Sequence, residues 1–293
     1  MDGVAEASDS LDEPVGAALA RWRKGRKVSG QVLGKRVGMS QAKISRLETG
    51  VSAPEPGDVR LIAEGLELPT DEVERLVTLA ERSGDQLIDW HAVEPNLPNR
   101  QHFVRRLEAP AREVRTFQPA VVVGLLQTSE YARAVLTALR NQLDDEQIAE
   151  SEFAISEAVA ARMQRSQVLY DPSRRFHFVM AESVLANRVC APTNMLAQIA
   201  RVREVASLAN VSIRIVPEAA EWPVAPFHGF EIMGDRHVLA DLFNSTVSSR
   251  SRSTVRQYRG IFDSFESIAT ADIDSILDKY QKRYINMLPG VAA

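Results

Sequence analysis

One cysteine in 293 residues, Cys190 within LANRVCAP, excludes an intrachain disulfide and any metal cage built from several thiolates. Its apolar neighbours fit a small packed hydrophobe in a reducing compartment. No run of about 18 apolar residues occurs, so no membrane-spanning helix is expected. The opening MDGVAEASDSLDEP is acidic and polar, where a secretion signal needs a basic stub followed by an apolar run. A cytoplasmic protein is the expectation. His91, His102, His177, His228 and His237 show no HExxH or other close ligand spacing, and no GxSxG, P-loop or GxGxxG occurs. Adjacent carboxylates such as Asp144 and Asp145 read as a helix start, because paired catalytic carboxylates need a shared cleft that adjacency does not supply. No catalytic residue, metal ligand or cofactor is therefore predicted, and an enzyme is the least favoured class.

Basic charge is also scarce overall, with a formal net charge of −4. Its distribution says more than its sum. Residues 1–14 carry Asp2, Glu6, Asp9, Asp12 and Glu13 without a basic residue. Residues 15–51 carry Arg21, Arg23, Lys24, Arg26, Lys27, Lys35, Arg36, Lys43 and Arg46 against Glu48 alone. One short basic segment in an otherwise acidic chain points to a polyanionic partner for that segment.

The acidic start, residues 1–13, is expected to form a tail without a packed core. Val15, Leu19 and Trp22 then recur at helical spacing with basic residues on the other face. Ser29 and Ser40 are placed as N-caps of two further helices, with Gly38 between them and Gly50 closing the second. A fourth helix has Val59, Ile62, Ala63 and Leu66 inward, and a fifth opens at Thr70 with Asp71 and Glu72 at the positive end of its dipole. Residues 84–99, interrupted by Gly84, Pro95 and Pro98, read as a linker that Trp90 packs onto a domain. Beyond it the pattern predicts a helix over 101–114 broken at Pro110, an extended piece over 116–123, a helix from Thr128 and a long helix over 145–169. Strands are expected at 175–180, 211–217, 229–233 and 236–243, with two helices after Ser253. The fold class is thus mainly α: a five-helix domain over 14–83 and an α+β domain with a small mixed sheet over 100–287.

Within GQVLGKRVGMSQAKISRLETG, Gly34 lets two helices approach closely and Gly38 takes a left-handed turn, while Leu33, Val37, Ile44 and Leu47 face one core. This stretch resembles the helix-turn-helix of the XRE, phage-repressor-like family: Gly34, Gly38 and Ile44 match its spacing, and SRLETG matches the end of its recognition helix. The resemblance covers roughly residues 14–83 and implies binding to double-stranded DNA. A helix lying in the major groove leaves Gln41, Ala42, Lys43 and Arg46 to touch base edges. Ser29, Gln31 and Ser40 stand at helix starts, where backbone N–H groups meet phosphate. Arg21, Arg23, Lys24, Arg26, Lys27, Lys35 and Arg36 are expected as sequence-blind phosphate contacts. Glu48 is expected to orient a basic neighbour rather than to touch DNA. Two such units related by a dyad would read an inverted-repeat operator, so a homodimer is expected.

FQPAVVVGLLQTSEYARAVL, residues 117–136, resembles the GLLQT-x-x-YAR signature of a domain that follows XRE modules in antitoxin-like transcription regulators of actinobacteria. The resemblance spans roughly 97–285 and implies a small partner protein. From the residues themselves, Gly124, Gln127, Thr128, Tyr131 and Arg133 form a loop-to-helix junction capped by Thr128. Structural demands explain that composition more readily than a ligand pocket, and both readings stay open. A pocket, if formed, would draw on Gln127, Tyr131, Arg133, Trp222, Phe227 and His228. The leading expectation is a DNA-binding transcriptional regulator whose second domain receives a small molecule or small protein and dimerises. The alternative is an antitoxin-like interaction module that sequesters its partner and regulates its own operon.

Overall fold

The computed structural model describes residues 13–49, 54–83, 86–89, 97–141, 152–243 and 245–289. The tail expected over 1–13, Gly50, Trp90 and the helix start expected at Asp145 lie wholly or mostly outside them. The chain divides into two compact units, one running up to Gln86 and taking in Ser249–Arg252, the other holding the rest.

The first unit is helical: α1 Val15–Gly25, α2 Gly30–Val37, α3 Gln41–Glu48, α4 Pro56–Gly65 and α5 Thr70–Ser83. Each start has a local cause. Ser29 and Ser40 accept the backbone N–H of Val32 and Lys43, each at 3.2 Å. Pro56 occupies the first turn of α4, and Asp71 and Glu72 that of α5. Val15, Leu19, Leu33, Ile44, Leu47, Val59, Ile62 and Leu76 are buried in one core, with Trp22 and Val37 packed at its edge. Burying each of these aliphatic side chains contributes roughly 1.5–3 kcal/mol, which is what holds such short helices together.

In the second unit the strands are β1 Gln86–Asp89, β2 Glu113–Gln118, β3 Arg175–Ala181, β4 Val211–Val216, β5 Phe230–Met233, β6 His237–Asp241 and β7 Ser245–Ser249. They form one mixed sheet in the order β1-β7-β6-β5-β2-β3-β4. β2, β3 and β4 run parallel, and β5 and β6 pair antiparallel beyond β2. The helices are α6 Leu97–Glu108, α7 Ser129–Asn141, α8 Glu152–Ser166, α9 Ser183–Ala186, α10 Pro192–Ala206, α11 Arg252–Ser267 and α12 Asp274–Ile285. Alternation along the strands supplies a core on each face. Phe176, Phe178, Met180, Ile213 and Ile215 pack with Met195 and Val202 of α10 and Leu277 of α12. Phe117, Val179, Phe230 and Ile232 pack with Val255, Phe262 and Phe265 of α11 on the other.

Several expected boundaries move. The helix expected to bend at Pro110 ends at Glu108, two residues before the proline, and the extended piece placed at 116–123 is β2. The helix expected through Leu169 ends at Ser166 and tightens into a 3-10 turn, Gln167–Tyr170. Residues 84–99 are not linker throughout, because Gln86–Asp89 forms β1. β7 was not expected either: STVSS has no apolar alternation, yet Ser245, Thr246, Ser248 and Ser249 are buried in it.

Candidate nucleic-acid interface

The α2–α3 turn is set by two glycines. A Cβ on Gly34 would lie 2.5 Å from the Met39 carbonyl oxygen, so a side chain there would force the helices apart. Gly38 has φ +69°, the left-handed conformation that stops α2 and redirects the chain. The starts of the two helices then converge: a Cβ on Gly30 would lie 3.5 Å from Gln41 Cγ. Two helix N-termini, each with unpaired-dipole N–H groups and a serine cap, thereby meet at one edge.

On α3, Ile44 and Leu47 point inward, while Gln41, Ala42 and Arg46 are exposed. Lys43, expected on the same exposed face, is half-buried instead. Its Nζ lies 2.8 Å from Asp58 on α4, and its side chain is only 43% exposed. Arg23 departs further. Its Nε and Nη2 donate to the two carboxylate oxygens of Glu48 at 2.6 and 2.7 Å, and Nη1 donates to the Val28 carbonyl. With its side chain 16% exposed, Arg23 braces α1 against the end of α3 and is not placed as a phosphate contact. That hydrogen bond to Glu48 also raises the guanidinium pKa above its ordinary value. Glu48 thus has the basic partner expected of it. Arg21 pairs with Glu13 at 2.9 Å, and Arg36 donates to the Gly65 carbonyl at 3.3 Å, both at the surface. Lys24, Arg26, Lys27, Gln31 and Lys35 are exposed, as are the capping residues Ser29 and Ser40.

The six residues expected to share a pocket in the second unit do not. Tyr131 is fully buried, its hydroxyl accepting the Val122 N–H at 3.1 Å, and burial pushes its pKa up to about 12. Arg133 is exposed and donates to Ser156. Trp222 packs edge-on against Phe265, ring centroids 5.3 Å apart, beside a separate hollow of about 220 Å³. Gln127, Phe227 and His228 do line one cavity, of about 440 Å³. Gln127 is engaged there, donating to the Val122 carbonyl at 2.7 Å and accepting from Arg162 at 2.6 Å. Thr128 caps α7, its hydroxyl accepting the Tyr131 N–H, so this junction is first of all a pinned turn.

Beside that cavity lies a charge cluster that the sequence reading missed. Arg165, 6% exposed, stands 3.3 Å from Glu108 Oε2 and 3.4 Å from Glu231 Oε1. Burial opposes the charge on Arg165, and the carboxylates of Glu231, Glu108 and Asp241 outweigh it, so its pKa rises. Burial pushes the Glu108 carboxyl up, against the pull of Arg165. The three residues come from α6, α8 and β5, and no spacing in the sequence announces them.

Among the described residues no group of three His, Cys, Asp or Glu could hold a metal ion, and no helix is long and apolar enough to cross a membrane. Residues 14–76 match the family described as "Helix-turn-helix domain". No curated protein matches the chain. A solved structure of TrmBL2, described as an archaeal chromatin protein with a novel mode of DNA binding, aligns at 11% identity. The alignment covers 82% of this chain and 69% of that one with a TM-score of 0.33, too slight a likeness to carry an argument. Residues 101–277, more than half of the chain, match the family described as "Domain of unknown function (DUF5753)", and the chain belongs to it.

Proposed function

We propose that this chain is a sequence-specific, DNA-binding transcriptional regulator of the XRE type, working as a homodimer on an inverted-repeat operator in the cytoplasm. The observation that carries this reading is the convergence of two serine-capped helix starts beside the exposed Gln41, Ala42 and Arg46. Gln41 suits a bidentate pair with adenine and Arg46 one with guanine, while Ala42 suits the thymine methyl. Lys43 joins them only by exchanging Asp58 for DNA. Ser29, Gln31 and Ser40 meet phosphate at the helix starts, and Arg21, Lys24, Arg26, Lys27, Lys35 and Arg36 supply the salt-dependent attraction. The second unit receives a signal and holds the dimer together.

An operator selected from random duplexes, with Arg46→Ala measured against it, tests this reading. The substitution is expected to weaken operator binding by about 1–3 kcal/mol and to relax preference at one position per half-site. Unchanged affinity and preference would remove Arg46 from the reading set, and failure to select any operator would remove the function.

A further inference from the structure

The 440 Å³ cavity lies between β2, β5 and β6 on one side and the helices α6, α7 and α8 on the other. Its volume is within the range of small-molecule sites, roughly 300–1,000 Å³. Val104, Val122, Val135 and Leu239 make much of its wall apolar. At the polar end the charges answer one another. Two arginines and two carboxylates stand among the described lining residues. Arg165 pairs with Glu231 at 3.4 Å, Arg162 donates to Gln127 at 2.6 Å, and Asp241 accepts the Thr246 hydroxyl at 2.7 Å. Glu108, in contact with Arg165 but outside the lining, is pushed toward its neutral form by burial. A head with a net charge would enter this balanced wall without a counter-charge of its own, and an uncompensated buried charge is costly.

What is left open at that end has both hydrogen-bond signs. Gln101 Oε1 and Glu231 Oε2, both acceptors, are buried without a hydrogen-bond partner, and Gln101 is 4% exposed. Arg165 Nε, a donor, is buried 3.3 Å from Glu108 but out of line for a hydrogen bond. Gln118 adds a second amide to the wall, and a Cβ on Gly229 would collide with it, so only glycine there leaves this carboxamide its place. Buried polar atoms without partners cost free energy, and a head that brings both a donor and an acceptor recovers it.

The rim is unlike the floor. Phe227 is 87% exposed, Phe243 80% and Leu242 45%, and all three border this one opening. Large apolar side chains left in water beside a concave site recover their hydration cost by closing over an apolar body.

We infer that this cavity binds one small amphipathic molecule with an uncharged head that both donates and accepts hydrogen bonds, a carboxamide or lactam above all. The head's N–H groups donate to Glu231 and Gln101, its carbonyl accepts from Arg165, and the apolar body lies under Phe227 and Phe243. The inference rests on the reading of this unit as the receiver of a signal, and it names the chemistry of that signal. A small protein is the less suitable occupant, because the open polar atoms are buried within a cavity rather than spread on a flat face.

Fluorescence titration of the full chain with four probes that share a dansyl body tests the inference. They are 6-(dansylamino)hexanamide with an amide head, dansylcadaverine with an amine, 6-(dansylamino)hexanoic acid with a carboxylate, and Nε-dansyl-lysine with a zwitterion. The amide is expected to bind tighter than each of the others by about tenfold or more, because it alone brings no charge to be compensated. Gln101→Leu, which keeps the bulk and removes the amide, should cut that advantage by about fivefold. Because Gln101 is buried, Phe227→Ala at the exposed rim provides a second variant that leaves the core intact, and it should weaken all four probes alike. A charged or zwitterionic probe that equals or exceeds the amide would overturn the inference, as would binding that ignores both substitutions or the failure of every probe to bind. Operator affinity with and without the amide probe is read separately: a probe that binds with the expected preference but leaves operator affinity unchanged upholds the site and removes only the signalling role.

Discussion

The two units carry charge in different ways. In the helical unit, Lys43 to Asp58 and Arg60 to Glu74 tie neighbouring helices at or near the surface, Arg75 pairs with Glu72 within α5, and Arg23 to Glu48 is a more deeply placed tie between α1 and α3. In the α+β unit, an arginine is enclosed between two glutamates from elements far apart in the chain, beside a cavity. The surface pairs orient helices that caps and apolar spacing already specify, and the small helical core does not depend on them. A charge inside the second unit is tolerable only when all its partners are present, so there electrostatics is part of the packing.

The largest expected effect follows from that contrast. Arg165→Ala leaves Glu108 and Glu231 facing each other in a buried site, and the expected cost is about 3–5 kcal/mol, read as a lower urea midpoint. Arg60→Ala, which removes one partner of an exposed pair, should leave the midpoint unchanged within error. Similar midpoints for the two variants would break the comparison, since the enclosed arginine would then be no more demanding than a surface one.

Arg23 offers an intermediate case inside the helical unit. Its side chain is largely buried, and its bidentate bond to Glu48 spans α1 and α3. Arg23→Ala is expected to cost about 1–2 kcal/mol of stability and to leave the salt slope of non-specific DNA binding unchanged. Sequence alone made Arg23 one of a row of phosphate contacts, because composition shows charge but not which carboxylate is nearer. A slope reduced by about 1 would return it to that row.

Legibility in the sequence follows the range of the interaction. The helices of the first unit were readable because each cause is local: a serine cap, a glycine four residues from another, apolar residues three and four apart. The exposure of Gln41, Ala42 and Arg46 follows from the same spacing once Ile44 and Leu47 are placed inward. The cavity was only half readable. Gln127, Phe227 and His228 reach it, but Glu108, Arg165 and Glu231 are brought together by tertiary packing that leaves no periodic trace. β7 escaped for a similar reason, since its buried serines and threonine lack the alternation that marks a half-buried strand.

The smallest expected effect concerns helix ends that lack their signal. Gly38 closes α2 in the left-handed region, as its residue type suggests, but Lys27 with φ 54° and Glu67 with φ 56° do the same after α1 and α4. Each terminus has the same pair of bonds, Val28 N–H to the Arg23 carbonyl and Leu68 N–H to that of Ala63 being the longer reach. A side chain in that conformation is strained, so Lys27→Gly and Glu67→Gly should each stabilise the helical unit by about 0.5–1 kcal/mol. DNA separates them. If Lys27 touches phosphate, Lys27→Gly should lower the salt slope by about 0.9, while Glu67→Gly leaves it unchanged. Equal slopes with equal stabilisation would make Lys27 a helix stop only, and the basic segment would then reach DNA through Lys24, Arg26, Lys35 and Arg36 without it.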